Sequence, residues 1–420
     1  MKYYVIAGEA SGDLHGSNLI KELHKLDPAA DIRCWGGDKM QSAGATLVKH
    51  YRDLAFMGFV EVLKNLRTIF KNLAFCKSDI TAFRPDVLVL VDYPGFNLRI
   101  AKWAKAQGFK IVYYISPQVW AWKENRVKMM KQCIDKMLVI LPFEKDYYQN
   151  KWNWPVEYVG HPLVQVVEEF RQMTNEGMTN DESGMQHDEV GMKNDEVRML
   201  NDESAAIHSS FVTQHSSLPP HSSFNTQHST FLTIALLPGS RKQEILKKLP
   251  VMLEVSKRFA DYRFVVAKAP GVEDSFYDEL LQPYQNVSYV SNQTYALLSQ
   301  SRAALVTSGT ATLETALFGV PEVICYKGNP ISYQIAKRLI SIKYIGLVNL
   351  IMDKEVVKEL IQNDFTVDKL AHELNLLLND PAKQAQMAAD YAALWQLLAQ
   401  GGNASARAAA VVYEMVSTPQ

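Results

Sequence analysis

The 420-residue chain contains no stretch of about 18 apolar residues, so no helix is expected to span a bilayer. It has four cysteines, Cys34, Cys76, Cys133 and Cys325, scattered and without a CxxC pair. That spacing indicates neither a disulfide framework nor a zinc knuckle. It has almost no net charge: 44 Lys and Arg oppose 45 Asp and Glu. Nothing global therefore draws it to nucleic acid, and no nucleic-acid partner is expected. No secretory leader is expected either, because the first apolar run is a short strand that ends at Gly8 and Glu9. The expectation is a cytoplasmic protein whose membrane contact, if any, is peripheral. The dinucleotide GxGxxG fingerprint and the Walker loop GxxxxGK[ST] are both missing, which argues against NAD and against P-loop chemistry.

What is present is 47% hydrophobic residues, enough for about two cores at this length. Over residues 1–168, short apolar strands alternate with amphipathic helices. YYVIAG, VLVLVD, IVYYIS and MLVILP read as strands, and helices are expected near Leu14–Leu26 and Leu98–Gln107. Residues 231–390 repeat the theme with TIALLPGS, RFVVAKA, AALVTSG and EVICY. Near-continuous apolar strands between helices predict parallel sheets covered on both faces, hence two doubly wound α/β domains of the Rossmann-like type. Pro381–Met415 reads as helix, and residues 391–420 form a C-terminal segment that could pack on the first domain or be exchanged in a dimer.

Residues 169–230 differ. Met178, Met185, Met192 and Met199 recur every seven residues, and His208, His215, His221 and His228 each begin a His-Ser-Ser/Thr motif. One recurring apolar position cannot make a coiled-coil seam, which needs two. Ser-rich flanks do not pre-organise histidines as metal ligands. The segment reads as a low-complexity linker, expected to be disordered.

In doubly wound sheets, ligands bind beyond the carboxyl ends of strands. The first such end is Gly8-Glu9-Ala10-Ser11-Gly12-Asp13, where Glu9, Ser11 and Asp13 stand where a sugar hydroxyl or phosphate could sit, and Glu9, Ser11 and Gly12 are candidates for contact with a sugar acceptor. The competing reading is a structural loop with Ser11 or Asp13 as a helix cap. The second end carries Asp92, either a cap or a general base projecting into the cleft. The third carries Trp120 and Trp122, which either stack on a sugar or pack a core. In the second half, Leu-Leu-Pro-Gly239-Ser240-Arg241 leaves a strand and opens a helix, with Glu244 one turn in. Gly239 permits close approach, Ser240 can cap, and the Arg241 guanidinium matches phosphate oxygens. Ser308, Gly309 and Thr310 form a second anion site, with Glu314 able to accept from a ribose diol. Two anion sites in one domain suggest a nucleoside diphosphate.

The segment Leu54–Phe75 places Val62, Leu63, Leu66, Ile69, Phe70 and Leu73 on one face and Lys64, Arg67 and Lys71 on the other. It fits an amphipathic core helix. With Phe56, Met57 and Phe59 ahead of it, it also fits a helix lying in a lipid interface.

Taken together, AGEASGDLHG, FMGFVEVL, VDYPGFN, ISPQVWAWKENRV, LPFEKDYY, YVGHPL, LLPGSRKQEI, SGTATLE and the segment Leu347–Leu350 resemble the lipid-A-disaccharide synthase family. They follow the family order and cover nearly all of the chain outside the linker. The resemblance implies a GT-B glycosyltransferase fold. It implies transfer of 2,3-diacylglucosamine from UDP to 2,3-diacylglucosamine 1-phosphate, with inversion, no metal and no cofactor. It also implies Asp92 as candidate base, Arg241 on the nucleotide, Asn349 on the acceptor side, and acyl or membrane contact around Phe56–Leu63. The partners it implies are the two lipid-linked sugars, the cytoplasmic face of the inner membrane, and a second copy of the chain in a homodimer. The chain departs from the family at the insert and at Gly95, where the family pattern carries an acidic residue. That leaves Asp92 without its second carboxylate. The rival readings are a UDP-N-acetylglucosamine 2-epimerase, which needs no acyl-binding face, and a non-catalytic lipid-sugar carrier, which does not need Asp92.

Overall fold

A computed structural model describes residues 1–54, 66–183, 232–329, 333 and 343–417. The first sheet is all parallel. Its strands are β1 (Lys2–Ala7), β2 (Asp31–Gly36), β3 (Thr46–His50), β4 (Val87–Val91), β5 (Ile111–Tyr114), β6 (Lys136–Val139) and β7 (Glu157–Tyr158), in spatial order β3-β2-β1-β4-β5-β6-β7. The strands are apolar on both faces because both faces are covered. Tyr4, Ile6, Leu88 and Leu90 point into one core, and Tyr3, Val5, Val87 and Val89 into the other. The two-residue period of a strand produces that division.

The second sheet is also parallel. It comprises β8 (Leu232–Leu237), β9 (Tyr262–Lys268), β10 (Val287–Ser291), β11 (Ser301–Thr307), β12 (Glu322–Tyr326) and β13 (Lys358–Ile361), ordered β10-β9-β8-β11-β12-β13. Each sheet reverses its order once, between β1 and β4 and between β8 and β11. The crevices that open at these points hold the residues discussed below.

Two chain crossings join the halves. The helix Pro162–Ser183 buries Leu163, Val164 and Val167 against the second sheet's core. It runs unbroken through the expected boundary at 168. The repeat-bearing residues 184–231 lie outside the described residues. Near the other end, Pro381–Met415 is two helices rather than one, Pro381–Ala399 and Ala404–Ser417, separated at Gly401 and Gly402. Residue 390 lies within the first of these helices, whose Met387, Tyr391, Leu394 and Leu398 pack into the second sheet's core. The last helix returns to the first sheet, where Ala408, Ala409 and Val412 pack with Tyr3, Val5, Leu19 and Ile20. The crossings touch backbone to backbone: a Cβ on Gly401 would lie 2.1 Å from the Gly160 Cα. Only glycine permits that approach.

Two helices begin earlier than the apolar pattern suggested. The first starts at Ala10 and the one after β4 starts at Pro94. Proline at a first helical position loses no hydrogen bond, so it opens the helix rather than delaying it. In the helix Leu66–Phe83, Leu73, Cys76, Ile80 and Phe83 are buried. Ile69 packs against that core, whereas Phe70 is 64% exposed, so the two do not share a face as expected. Phe56, Met57, Phe59, Val62 and Leu63 lie outside the described residues. Leu66 opens the described helix. All four cysteines are buried and free.

Candidate active site

The loops after β1, β4, β5, β6 and β7 converge on a cavity of about 180 Å³. Ser11, Gly12 and His15 come from the first loop and helix, Asp92 from the second, Ser116 and Gln118 from the third. Glu144 and His161 follow β6 and β7, and the second domain closes the cavity with Thr310, Glu314 and Leu347. A roomier hollow of about 640 Å³ lies near the amino ends of β5 to β7, lined by Lys105, Lys110, Asp135 and Arg407. Doubly wound sheets do not bind ligands at that end.

Asp92 does not cap the following helix. The cap position falls on Tyr93, with no side-chain cap bond. Asp92 and Tyr93 both have left-handed backbone, φ 44° and 49°. Each such residue costs about 1–3 kcal/mol and persists only when its surroundings hold it. Here Asn97 Nδ2 donates to the Asp92 carbonyl at 2.8 Å, with the Val91 and Ile6 carbonyls at 3.2 and 3.3 Å. The Tyr113 hydroxyl donates to the Asp92 carbonyl at 2.6 Å. The side chain is thereby turned towards the cavity. Burial, and next the nearby Glu9 carboxylate, push the Asp92 carboxyl up to about 7. A carboxyl there is matched to take a proton near neutral pH.

Further carboxyls surround it. Glu144 is buried and accepts from the Trp120 indole N–H at 3.1 Å and the Leu141 N–H at 3.2 Å. Burial pushes it up to about 7, and the negative charge of Asp92 adds to the shift. Trp120 meets Phe143 edge-on and packs on the core, which favours its structural reading. Glu9 occupies the cap position of the first helix without a side-chain cap bond and is raised by burial, while the Arg241 charge from the other domain opposes the shift. Gly95 is exposed and nothing lies within 4 Å of a Cβ built on it. Glu144 is a further carboxyl that lines the cavity with Asp92.

The nucleotide candidates come together in the second domain. Gly239, Ser240, Glu244, Ser308, Gly309, Thr310 and Glu314 line one pocket of about 250 Å³, with Lys268 and Thr307. Gly239 has φ +116°, and a Cβ there would approach Glu244 Oε2 to 2.9 Å. Ser240 is exposed and does not cap. The cap position is Arg241, one residue later, whose Nη1 lies 3.5 Å from Glu244 Oε1. Ser308 donates to the Ile345 carbonyl, and Glu314 accepts from the Tyr295 hydroxyl at 3.2 Å.

Two expected residues belong to the framework instead. Asp13 is buried and accepts from the N–H groups of Gly37, Lys39 and Met40, so it caps the short helix Asp38–Ser42 and not its own. Asn349 is buried away from the cavity. Its Oδ1 accepts from the Val356 and Val357 N–H groups, and its Nδ2 donates to the Val357 carbonyl and to Glu359. Its hydrogen-bonding capacity is filled. Conversely, His15, Glu144 and His161 line the cavity without having been expected there. Their signal was position: Glu144 and His161 stand just after strand carboxyl ends, within LPFE and GHP, and His15 stands in the helix that follows β1, within LHG.

Parallel doubly wound sheets with a ligand crevice between them define the GT-B class, shared by glycosyltransferases and nucleotide-sugar epimerases. A solved structure of UDP-GlcNAc 2-epimerase from Neisseria meningitidis superposes with TM-score 0.61 at 12% identity, covering 99% of both chains. The glycotransferase of kitacinnamycin gives TM-score 0.59 at 14% identity, covering 99% of this chain and 98% of that one. At such identities these likenesses speak for the fold alone. Sequence narrows the class. The family model for lipid-A-disaccharide synthetase matches residues 3–203 and 212–412. Lipid-A-disaccharide synthase of Geobacter metallireducens is 36% identical over 417 residues, covering 98% of this chain and 96% of that protein. Lipid-A-disaccharide synthase 1 of Legionella pneumophila is 33% identical, covering 91% and 89%. The chain belongs to the lipid-A-disaccharide synthetase family and is a glycosyltransferase.

Proposed function

We propose that this enzyme moves 2,3-diacylglucosamine from UDP to the 6-hydroxyl of 2,3-diacylglucosamine 1-phosphate, forming a β-1,6-linked disaccharide and releasing UDP. The observation that carries the reading is the match of the lipid-A-disaccharide synthetase family model to nearly the whole chain, and the raised carboxyl of Asp92, in a cavity closed by the second domain, supports it. Asp92 takes the proton of the acceptor hydroxyl. The hydroxyl oxygen forms a bond to the anomeric carbon as the bond from that carbon to the UDP oxygen breaks, so configuration inverts. The departing diphosphate gains charge. Arg241 and the backbone N–H groups that open the helices Lys242–Ser256 and Thr310–Leu317 receive it.

The substrates carry acyl chains, so the enzyme works at the cytoplasmic face of the inner membrane. Among the described residues no helix is long and apolar enough to cross a membrane. The exposed Phe70, flanked by exposed Arg67 and Lys71, suits shallow contact with an anionic surface.

Incubation with UDP-2,3-diacylglucosamine and 2,3-diacylglucosamine 1-phosphate should yield UDP and disaccharide in equal amounts. Conversion of UDP-N-acetylglucosamine to its 2-epimer without disaccharide would establish the epimerase instead. Binding without turnover would establish a carrier.

A further inference from the structure

The cavity that holds Asp92 and the pocket expected to hold the diphosphate share two wall residues, Thr310 and Glu314. A sugar attached to a diphosphate in the larger pocket therefore continues into the smaller one. The smaller cavity is lined by three carboxyls, Asp92, Glu144 and Glu314, which makes it hostile to a phosphate and suited to a neutral polyhydroxyl ring.

Two histidines face that space. His15 is 9% exposed, and its Nδ1 has no protein partner. It lies in the second turn of the helix Ala10–Leu26, whose amino end opens at the same cavity. His161 is buried, and its Nδ1 accepts from the Leu163 N–H at 3.2 Å. Its ring proton is therefore on Nε2, which is a donor. Burial pushes His15 down to about 4, and burial with the neighbouring His15 pushes His161 down to about 3. Both are uncharged at neutral pH. A cation here would pull Asp92 towards its ordinary acidity and weaken it as a base, whereas a neutral imidazole offers one donor and one acceptor. That pairing matches a hydroxyl group, which also has both. His15 Nδ1 is enclosed, so the nitrogen of His15 left to meet a ligand is Nε2, and a hydroxyl in the cavity meets one ring nitrogen from each histidine.

We propose that His15, with His161 beside it, reads the free hydroxyl groups of the transferred glucosamine ring and thereby sets donor specificity. This rests on the substrate reading above. In that donor, C1 carries the diphosphate and positions 2 and 3 carry acyl groups, which leaves the 4- and 6-hydroxyls for recognition.

The test is a substrate-by-variant cycle. Wild type, His15→Ala and His15→Gln are assayed for kcat/KM with the native donor and with its 4-deoxy and 6-deoxy forms. UDP affinity and melting temperature are measured alongside. His15→Ala should lose about tenfold on the native donor, the worth of one hydrogen bond with its desolvation. It should lose almost nothing on one of the two deoxy donors, because the partner is already gone. His15→Gln should recover part of the loss, and UDP affinity should stay within about twofold of wild type. Equal losses on all three donors, or a parallel fall in UDP affinity, would show that His15 only supports the fold and would overturn the proposal. Should the alanine variant melt, the same cycle with His15→Gln and His161→Gln decides the matter by the same criterion. If wild type makes no disaccharide from the native donor, the substrate reading itself has failed. If wild type transfers but the cycle shows no coupling, only this inference has.

Discussion

Gly8 and Tyr93 occupy one another's space: a Cβ on Gly8 would lie 2.3 Å from the Tyr93 ring. Tyr93 belongs to the left-handed pair that aims Asp92, so the first loop of the chain holds the turn after β4 in place. Gly8→Ala should push the ring away, cost about 1–3 kcal/mol as overpacking, and lower kcat through Asp92. Adding Tyr93→Ala should return part of the stability, a coupling that a calorimetric double-mutant cycle detects. Additive effects would mean the contact is soft.

The ionisation of Asp92 links activity to stability. Its carboxyl is held near 7 in the fold and ionises near 3.8 in the unfolded chain. Between those values the folded state keeps a proton that the unfolded state has lost. Its contribution to stability is therefore fully present below about 4 and lost as pH rises through about 7. Relative to Asp92→Asn, wild-type melting temperature should fall across that window and level off above it. A difference independent of pH would contradict the raised carboxyl.

Arg241 gives the nucleotide prediction. Arg241→Ala should raise the Kd for UDP-sugar by about tenfold or more, and Arg241→Lys should recover only part of it. Lysine keeps the charge but not the paired N–H geometry. Complete rescue by lysine, measured by calorimetry, would reduce the role to general electrostatics.

Phe70 tests the membrane reading. The protein should sediment with anionic vesicles at low salt and less so at high salt. Phe70→Ser should weaken this several-fold without lowering the melting temperature, since the ring is mostly exposed. Unchanged sedimentation would place the lipid contact elsewhere.

Much of the fold was legible because parallel strands buried on both faces leave apolar runs such as VLVLV, and their ends mark where ligands bind. The loops of Gly239 and Ser308 were legible for the same reason, since each is a short strand-to-helix turn. Asp13 was not, because its partners lie from 24 to 27 residues away on another helix. Asn349 stood as a site residue only through the family resemblance of Leu347–Leu350. Its bonds to Val356, Val357 and Glu359 exist only once β13 is in place. Glu144 and His161 were quoted within motifs yet missed as site residues, because nothing local shows that burial will raise one and lower the other. The single break at Gly401 and Gly402 was hidden by the Ala- and Leu-rich pattern on either side.

The most direct test of the account is the turnover of Asp92→Asn beside its affinity for UDP. Asparagine preserves size and cannot take a proton. The account predicts that kcat falls by about 10²–10⁴ while UDP binding and folding persist. It also predicts that the wild-type rate rises with pH through about 7, as the carboxyl ionises. A folded variant that transfers sugar at a near-normal rate would remove Asp92 from the role of base and contradict the mechanism.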